Sequence, residues 1–101
     1  MNFDEYERDA ARTINPALDA NGRLIDGAAG LSEEAGEVLA LVRKHLYQGR
    51  DLDRDKLEQE LGDALWCLAM TARAAGIPFE SVAKTNIAKL EKRHADRISG
   101  G

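Results

Sequence analysis

Cysteine occurs once and proline twice in these 101 residues, and aromatic side chains make up only 5%. The lone Cys67 excludes an intramolecular disulfide, and its place in an apolar helical pattern reads as core filling. Scarce proline leaves room for long helices. No segment approaches the roughly 18 apolar residues of a membrane span, and the acidic stretch from Met1 to Arg12 lacks the apolar run of a signal peptide. A soluble cytoplasmic protein without a membrane partner is expected. Excess positive charge is missing too: the net charge of −4 gives no electrostatic footprint for a nucleic-acid polymer. A free nucleotide is still allowed, because a bound divalent cation reverses the local field. His45 and His94 join no zinc-type cluster. Ser32, Ser81 and Ser99 have no nucleophile-elbow surroundings, and Gly27-Ala-Ala-Gly30 is neither a Walker loop nor a dinucleotide fingerprint.

What is present is helix-forming. Apolar residues make up 44% of the chain and charged residues 32%, with no low-complexity tract or linker, so a single all-α domain over residues 1–101 is expected. A domain this small buries a modest core, and a partner subunit would enlarge it. Asn2 is placed to cap a first helix from about Phe3 towards Pro16, with Phe3, Tyr6, Ala10 and Ile14 as its apolar stripe. Asn21-Gly22 reads as a turn, with helix resuming between Arg23 and Leu31. Leu31, Ala35, Val38, Leu39, Val42 and Leu46 carry a second helix to about Tyr47. Asp53 or Asp55 caps a third, with Leu57, Leu61, Ala64, Leu65, Leu68 and Ala72 inward, and Gly76-Ile77-Pro78 ends it. Pro78 opens a fourth helix that runs through Val82, Ile87 and Leu90 to about Arg97.

Two segments echo each other, Leu31-Ser-Glu-Glu34-Ala-Gly-Glu37-Val-Leu39 and Leu57-Glu-Gln-Glu60-Leu-Gly-Asp63-Ala-Leu65. At about 100° per residue, Glu34 and Glu60 fall at the edge of the packing face of their helices, with Glu37 and Asp63 beside them. Like charges three apart destabilise an isolated helix, and partial burial of four acids demands protons, basic partners or a metal. Oxygen-only ligands suit Mg²⁺. Gly36 and Gly62, at matching places in the two motifs, are explained by close helix approach beside the site. The plainer alternative is a set of solvent-exposed helix acids.

At these residues the sequence resembles the MazG-like all-α nucleotide pyrophosphohydrolases, whose signature is E-E-x-x-E followed by E-x-x-D. Glu33-Glu34-Ala-Gly-Glu37 and Glu60-Leu-Gly-Asp63 carry it, and the likeness extends through Leu65-Trp66 to Asn86-Ile-Ala-Lys89-Leu-Glu-Lys92-Arg93-His94. The resemblance implies a four-helix subunit that assembles as a helical-bundle homodimer or dimer of dimers. It also implies hydrolysis of a nucleoside triphosphate between the α- and β-phosphates, giving a monophosphate and pyrophosphate, as nucleotide-pool housecleaning. Glu34, Glu37, Glu60 and Asp63 match the Mg²⁺ ligands, with Mn²⁺ as a substitute. Glu33 matches an extra glutamate that orients or deprotonates water, or holds another ion. On this resemblance a compact single-domain enzyme is expected, rather than a phosphoribosyl-ATP pyrophosphohydrolase or a full-length MazG protein with its second domain.

For the substrate, Lys89 and Arg93 lie four apart on one helix face and are placed to meet phosphate oxygens, with Asn86 on the same side. Lys44 is a weaker candidate of the same kind. The alternative for all of them is a solvated basic helix end that complements the dipole. Trp66 either stacks on a base or packs in the core or against a subunit, and His45 and Tyr47 are lesser candidates for the pocket wall. A different class of function competes with the enzyme: a non-catalytic helical interaction or regulatory module whose acid stripes bind a basic partner. The enzyme requires the four carboxylates to converge. The module does not.

Overall fold

In a computed structural model describing residues 1–100, the chain forms four helices: α1 (Phe3–Ala11), α2 (Ala20–Tyr47), α3 (Arg54–Ala74) and α4 (Phe79–Ser99). The expected all-α class holds, and three of the helices begin on side-chain caps. Asn2 Oδ1 accepts from the Glu5 N–H at 2.8 Å while Asn2 Nδ2 donates to Glu5 Oε1 at 2.9 Å, a reciprocal pair that fixes the start of α1. Asp53 accepts from the Lys56 N–H at 3.1 Å and starts α3. Pro78 offers no side-chain cap to α4; the Glu80 N–H donates instead to Asp4 Oδ1 of α1, at 3.3 Å. The end of α3 is a Schellman turn: Gly76, at φ 74°, donates to the Arg73 carbonyl and Ile77 to the Ala72 carbonyl.

The start of α2 differs from expectation. Asn21-Gly22 is not a turn but part of the first helical turn, because Asp19 caps it by accepting from the Gly22 N–H at 2.7 Å. A cap satisfies an orphan donor whatever the propensity of the residue that carries it. α2 therefore extends from Ala20 without a break. Helix α1 is shorter than expected and gives way at Arg12 to a connection through Pro16.

Helices α2 and α3 form a long antiparallel hairpin, and α1 lies across α3. The small core consists of Ala69, Met70, Ala72 and Phe79, with Tyr6, Ala10, Ala11, Ile14, Leu65 and Trp66 packed against it. Phe79 anchors α4 through an edge-on contact with Phe3, ring centroids 5.3 Å apart. Beyond that anchor α4 touches α1 and α3 only, never α2. Leu61 and Leu68, expected inward, are exposed in the isolated chain, as are Leu39 and Leu46 of the apolar stripe of α2 and Val82, Ile87 and Leu90 on α4. The radius of gyration is 16.7 Å, against about 13 Å for a compact chain of this length. A hairpin with helices against only part of one side leaves its other apolar rows uncovered. No helix among the described residues is long and apolar enough to cross a membrane.

Candidate metal centre

The two long helices come together over glycine. A Cβ added at Gly30 would lie 2.8 Å from the Cys67 Sγ, and one at Gly27 would strike the Thr71 hydroxyl and stand 3.1 Å from its backbone nitrogen. Thr71 turns that hydroxyl back to donate to the Cys67 carbonyl at 2.7 Å, so the tight crossing leaves no polar group unpaired there. The glycines of close approach are therefore Gly27 and Gly30. Gly36 and Gly62 have open space where a Cβ would be, which corrects the expectation that they permit the helix contact. The matching places of Gly36 and Gly62 in the acid motifs have no explanation within one chain.

One turn beyond Gly30 the crossing brings Glu34 of α2 to Glu60 and Asp63 of α3. One carboxylate oxygen from each lies within 4.8 Å of the others. Glu34 and Glu60 are half-buried and Asp63 is exposed. Glu34 Oε2 is shut off from solvent without a hydrogen-bond partner, a costly condition for a carboxylate. The Glu34 carboxyl is pushed up to about 7. The first cause is the Glu60 carboxylate within hydrogen-bond reach; burial and the charges of Glu60, Asp63 and Glu37 add to it. Below about pH 7 such a group holds a proton, which a bound cation would displace.

Glu37 is exposed and lies outside the converging trio, although close enough for its charge to act on Glu34. Glu33 is exposed and outside it as well. Lys44 is exposed in the last turn of α2, where its carbonyl accepts from the Gln48 and Arg50 N–H groups. His45 serves the same helix end, its Nδ1–H donating to the Arg50 carbonyl at 2.8 Å, and Tyr47 is exposed. Asn86, Lys89 and Arg93 are exposed on α4, which contributes nothing to the trio and makes no contact with α2. The structure thus gathers Glu34, Glu60 and Asp63, keeps Glu37 nearby, and leaves the α4 group apart within one chain.

Sequence reading missed three contributors. Tyr6 of α1 lies near the trio: burial first, then the charge of Asp63, raises its phenol, which therefore stays a donor. Arg23 and Asp26 line a cavity of about 200 Å³ with Trp66, which follows Asp63 by one turn of α3. Arg23 stands three helical turns before Glu34 and only about 20° from it on the wheel. The signal was hidden by placing the helix start too late. Trp66 is half-buried against the core and also lines this cavity, its indole Nε1–H donating to Thr13 Oγ1 at 2.8 Å. Cys67 offers no nucleophile, since burial first, then the neighbouring acids, pushes its thiol above 9.0.

Fold and site together define an all-α domain whose helical hairpin carries a carboxylate cluster. A family model described as the MazG nucleotide pyrophosphohydrolase domain matches residues 26–98, and the chain belongs to that family. Gene 37 protein of Mycobacterium phage L5 is 38% identical over 71 residues, a match covering 63% of this chain and 60% of that relative. The chain therefore spans about 60% of the length of the curated relative it matches. No solved structure matches.

Proposed function

We propose that this chain hydrolyses nucleoside triphosphates, ribo or deoxy, between the α- and β-phosphates in a Mg²⁺-dependent reaction, as nucleotide-pool housecleaning. The observation that carries the reading is the convergence of Glu34, Glu60 and Asp63 around a buried carboxylate oxygen that has no partner. Donors that are all carboxylate oxygen suit a hard divalent ion, Mg²⁺ with Mn²⁺ as substitute. Glu34, Glu60 and Asp63 would hold it, with Glu37 joining from the rim. When bound, the ion supplies charge neutralisation at the phosphate oxygens and acidifies water.

The remaining chemistry belongs to the chain. A water oxygen bonds to the α-phosphorus, the bond from that phosphorus to the bridging oxygen breaks, and pyrophosphate leaves with the electron pair. Glu33, on the exposed side of α2 next to the trio, takes the role of orienting the water and accepting its proton. Little else is required, since phosphoryl transfer depends mainly on positioning and electrostatics. Lys89 and Arg93, with Asn86, are phosphate-binding candidates that α4 holds away from the acids of its own chain, and Lys44 is another at the end of α2. The exposed apolar row of α4 supports a homodimer or dimer of dimers, in which a second copy covers that row and brings these groups to the acids.

The test is pyrophosphate release from a panel of NTPs and dNTPs with and without Mg²⁺. Release is expected only with the metal, and Glu60→Gln and Asp63→Asn abolish it. Turnover that survives both substitutions overturns the reading in favour of a non-catalytic module.

A further inference from the structure

The cavity lined by Trp66, Arg23 and Asp26 has the chemistry of a selective ring-binding site. Met70, Ile14 and Leu18 give it apolar walls, and Trp66 supplies a flat aromatic surface. That ring is fixed in orientation: the Trp66 indole donates to Thr13 Oγ1 at 2.8 Å, and the Thr13 hydroxyl in turn donates to the Ala10 carbonyl at 2.7 Å. A planar π face held in place is a stacking platform for any nucleobase, and stacking alone does not choose between bases. Choice requires polar groups aimed at the ring edge.

Arg23 and Asp26 supply them, one turn apart on α2 and both lining the cavity. Neither side chain takes part in a hydrogen bond or ion pair among the described residues, whereas Arg73, which also lines the cavity, is already paired with Glu7 at 3.1 Å. A cavity of about 200 Å³ falls below the range of roughly 300–1,000 Å³ that whole drug-sized ligands occupy. It suits one ring system, with the sugar and phosphates outside. Trp66 lies one turn from Asp63 along α3, so a ring on its face leaves the phosphates on the side of the acids.

We infer that this cavity, formed by Trp66, Arg23 and Asp26, binds the base of the nucleotide and selects amino-bearing bases over their oxo counterparts. The inference rests on the nucleotide-hydrolysing reading of the neighbouring acids. An ionised carboxylate only accepts hydrogen bonds and a guanidinium only donates them. Asp26 therefore takes an exocyclic amino group, as aspartate and glutamate do with the cytosine N4 amine, and Arg23 takes adjacent ring acceptors. Uracil or hypoxanthine turns a carbonyl oxygen towards Asp26, and two acceptors then face each other.

Trp66 is the only tryptophan in the chain, so its fluorescence reports occupancy without any need for turnover. The probes are non-hydrolysable α,β-methylene triphosphates in matched pairs, cytosine against uracil and adenine against hypoxanthine, titrated in Mg²⁺ buffer. The amino member of each pair is expected to quench Trp66 and bind about tenfold tighter. Asp26→Asn narrows the ratio to about threefold or less, because an amide presents donors as well as an acceptor. Arg23→Gln weakens both members of a pair. Equal affinity within the pairs, binding that leaves Trp66 unquenched, or an unchanged ratio in Asp26→Asn overturns the inference. Pyrophosphate release without base preference refutes the cavity's role and leaves the hydrolase reading standing. Base-selective quenching without pyrophosphate release does the opposite.

Discussion

The α2–α3 hairpin and helix α4 carry similar amphipathic sequence signals and end in opposite circumstances. In the hairpin, Gly27 and Gly30 let two backbones close on Thr71 and Cys67, and that closeness forces Glu34 against Glu60 and Asp63. In α4, only Phe79 is buried, and Ile87, Leu90 and Ile98 stay exposed, Ile98 at 69%. An apolar stripe therefore marks a face that wants a partner without saying whether that partner lies in the same chain. The facing sides of α2 and α3 find their partner internally and gain an acid cluster; α4 keeps its cations on a helix whose apolar row is still uncovered.

The largest test of this contrast is catalytic. Removing one acid of the hairpin, as in Glu60→Gln, is expected to lower kcat by at least about a hundredfold, as loss of one preorganised electrostatic group does elsewhere. Arg93→Ala on α4 is expected to act mainly on KM, by roughly tenfold, since a charge-assisted phosphate contact is worth about 1.5–3 kcal/mol. Steady-state kinetics on both variants separates the two. Equal losses of kcat would place α4 in the chemistry itself and erase the distinction.

The next effect is on stability. Gly27→Ala pushes a methyl group into Thr71, and overpacking of this kind costs about 1–3 kcal/mol. Gly36→Ala and Gly62→Ala meet open space and should each stabilise the chain by about 0.5–1 kcal/mol through helix propensity. Urea titrations measure both. A loss at Gly36 or Gly62 instead would mean that another backbone approaches them, so that a second copy also covers the exposed side of the hairpin.

Much of this was legible in the sequence, for physical reasons that differ by region. Helix existence, the Asn2 cap and the Gly76 stop follow from local hydrogen bonding, so they read directly, and the structure chooses Asp53 over Asp55 as the cap of α3. The facing of Glu34, Glu60 and Asp63 followed from helical period plus a repeated motif. The start of α2 did not read, since Asn21-Gly22 has turn chemistry that the Asp19 cap overrides, and with it went Arg23 and Asp26. The roles of Gly27 and Gly30 against those of Gly36 and Gly62 depend on the crossing point of two helices. Periodicity along one helix does not contain that information. For the same reason Leu61 and Leu68, expected inward from the period of α3, are exposed in the single chain.

The smallest expected effect is a pH dependence confined to the hairpin. Glu34 is raised from 4.5 to about 7, with the Glu60 carboxylate as first cause. Unfolding separates these acids and restores the ordinary value, so between pH 4.5 and 7 the folded chain holds a proton that the unfolded chain has lost. Stability must then fall as pH rises through that window and level off above it. Thermal melts in chelator should show this slope, and Glu34→Gln should flatten it, because glutamine does not titrate. Mg²⁺ should raise the melting temperature more at pH 8 than at pH 5, since at pH 5 a proton already occupies Glu34 and competes with the ion. Neutralising Lys89 and Arg93 on α4 should leave the slope unchanged. A slope that survives Glu34→Gln would place its origin outside the trio, and a Mg²⁺ response independent of pH would separate ion binding from Glu34.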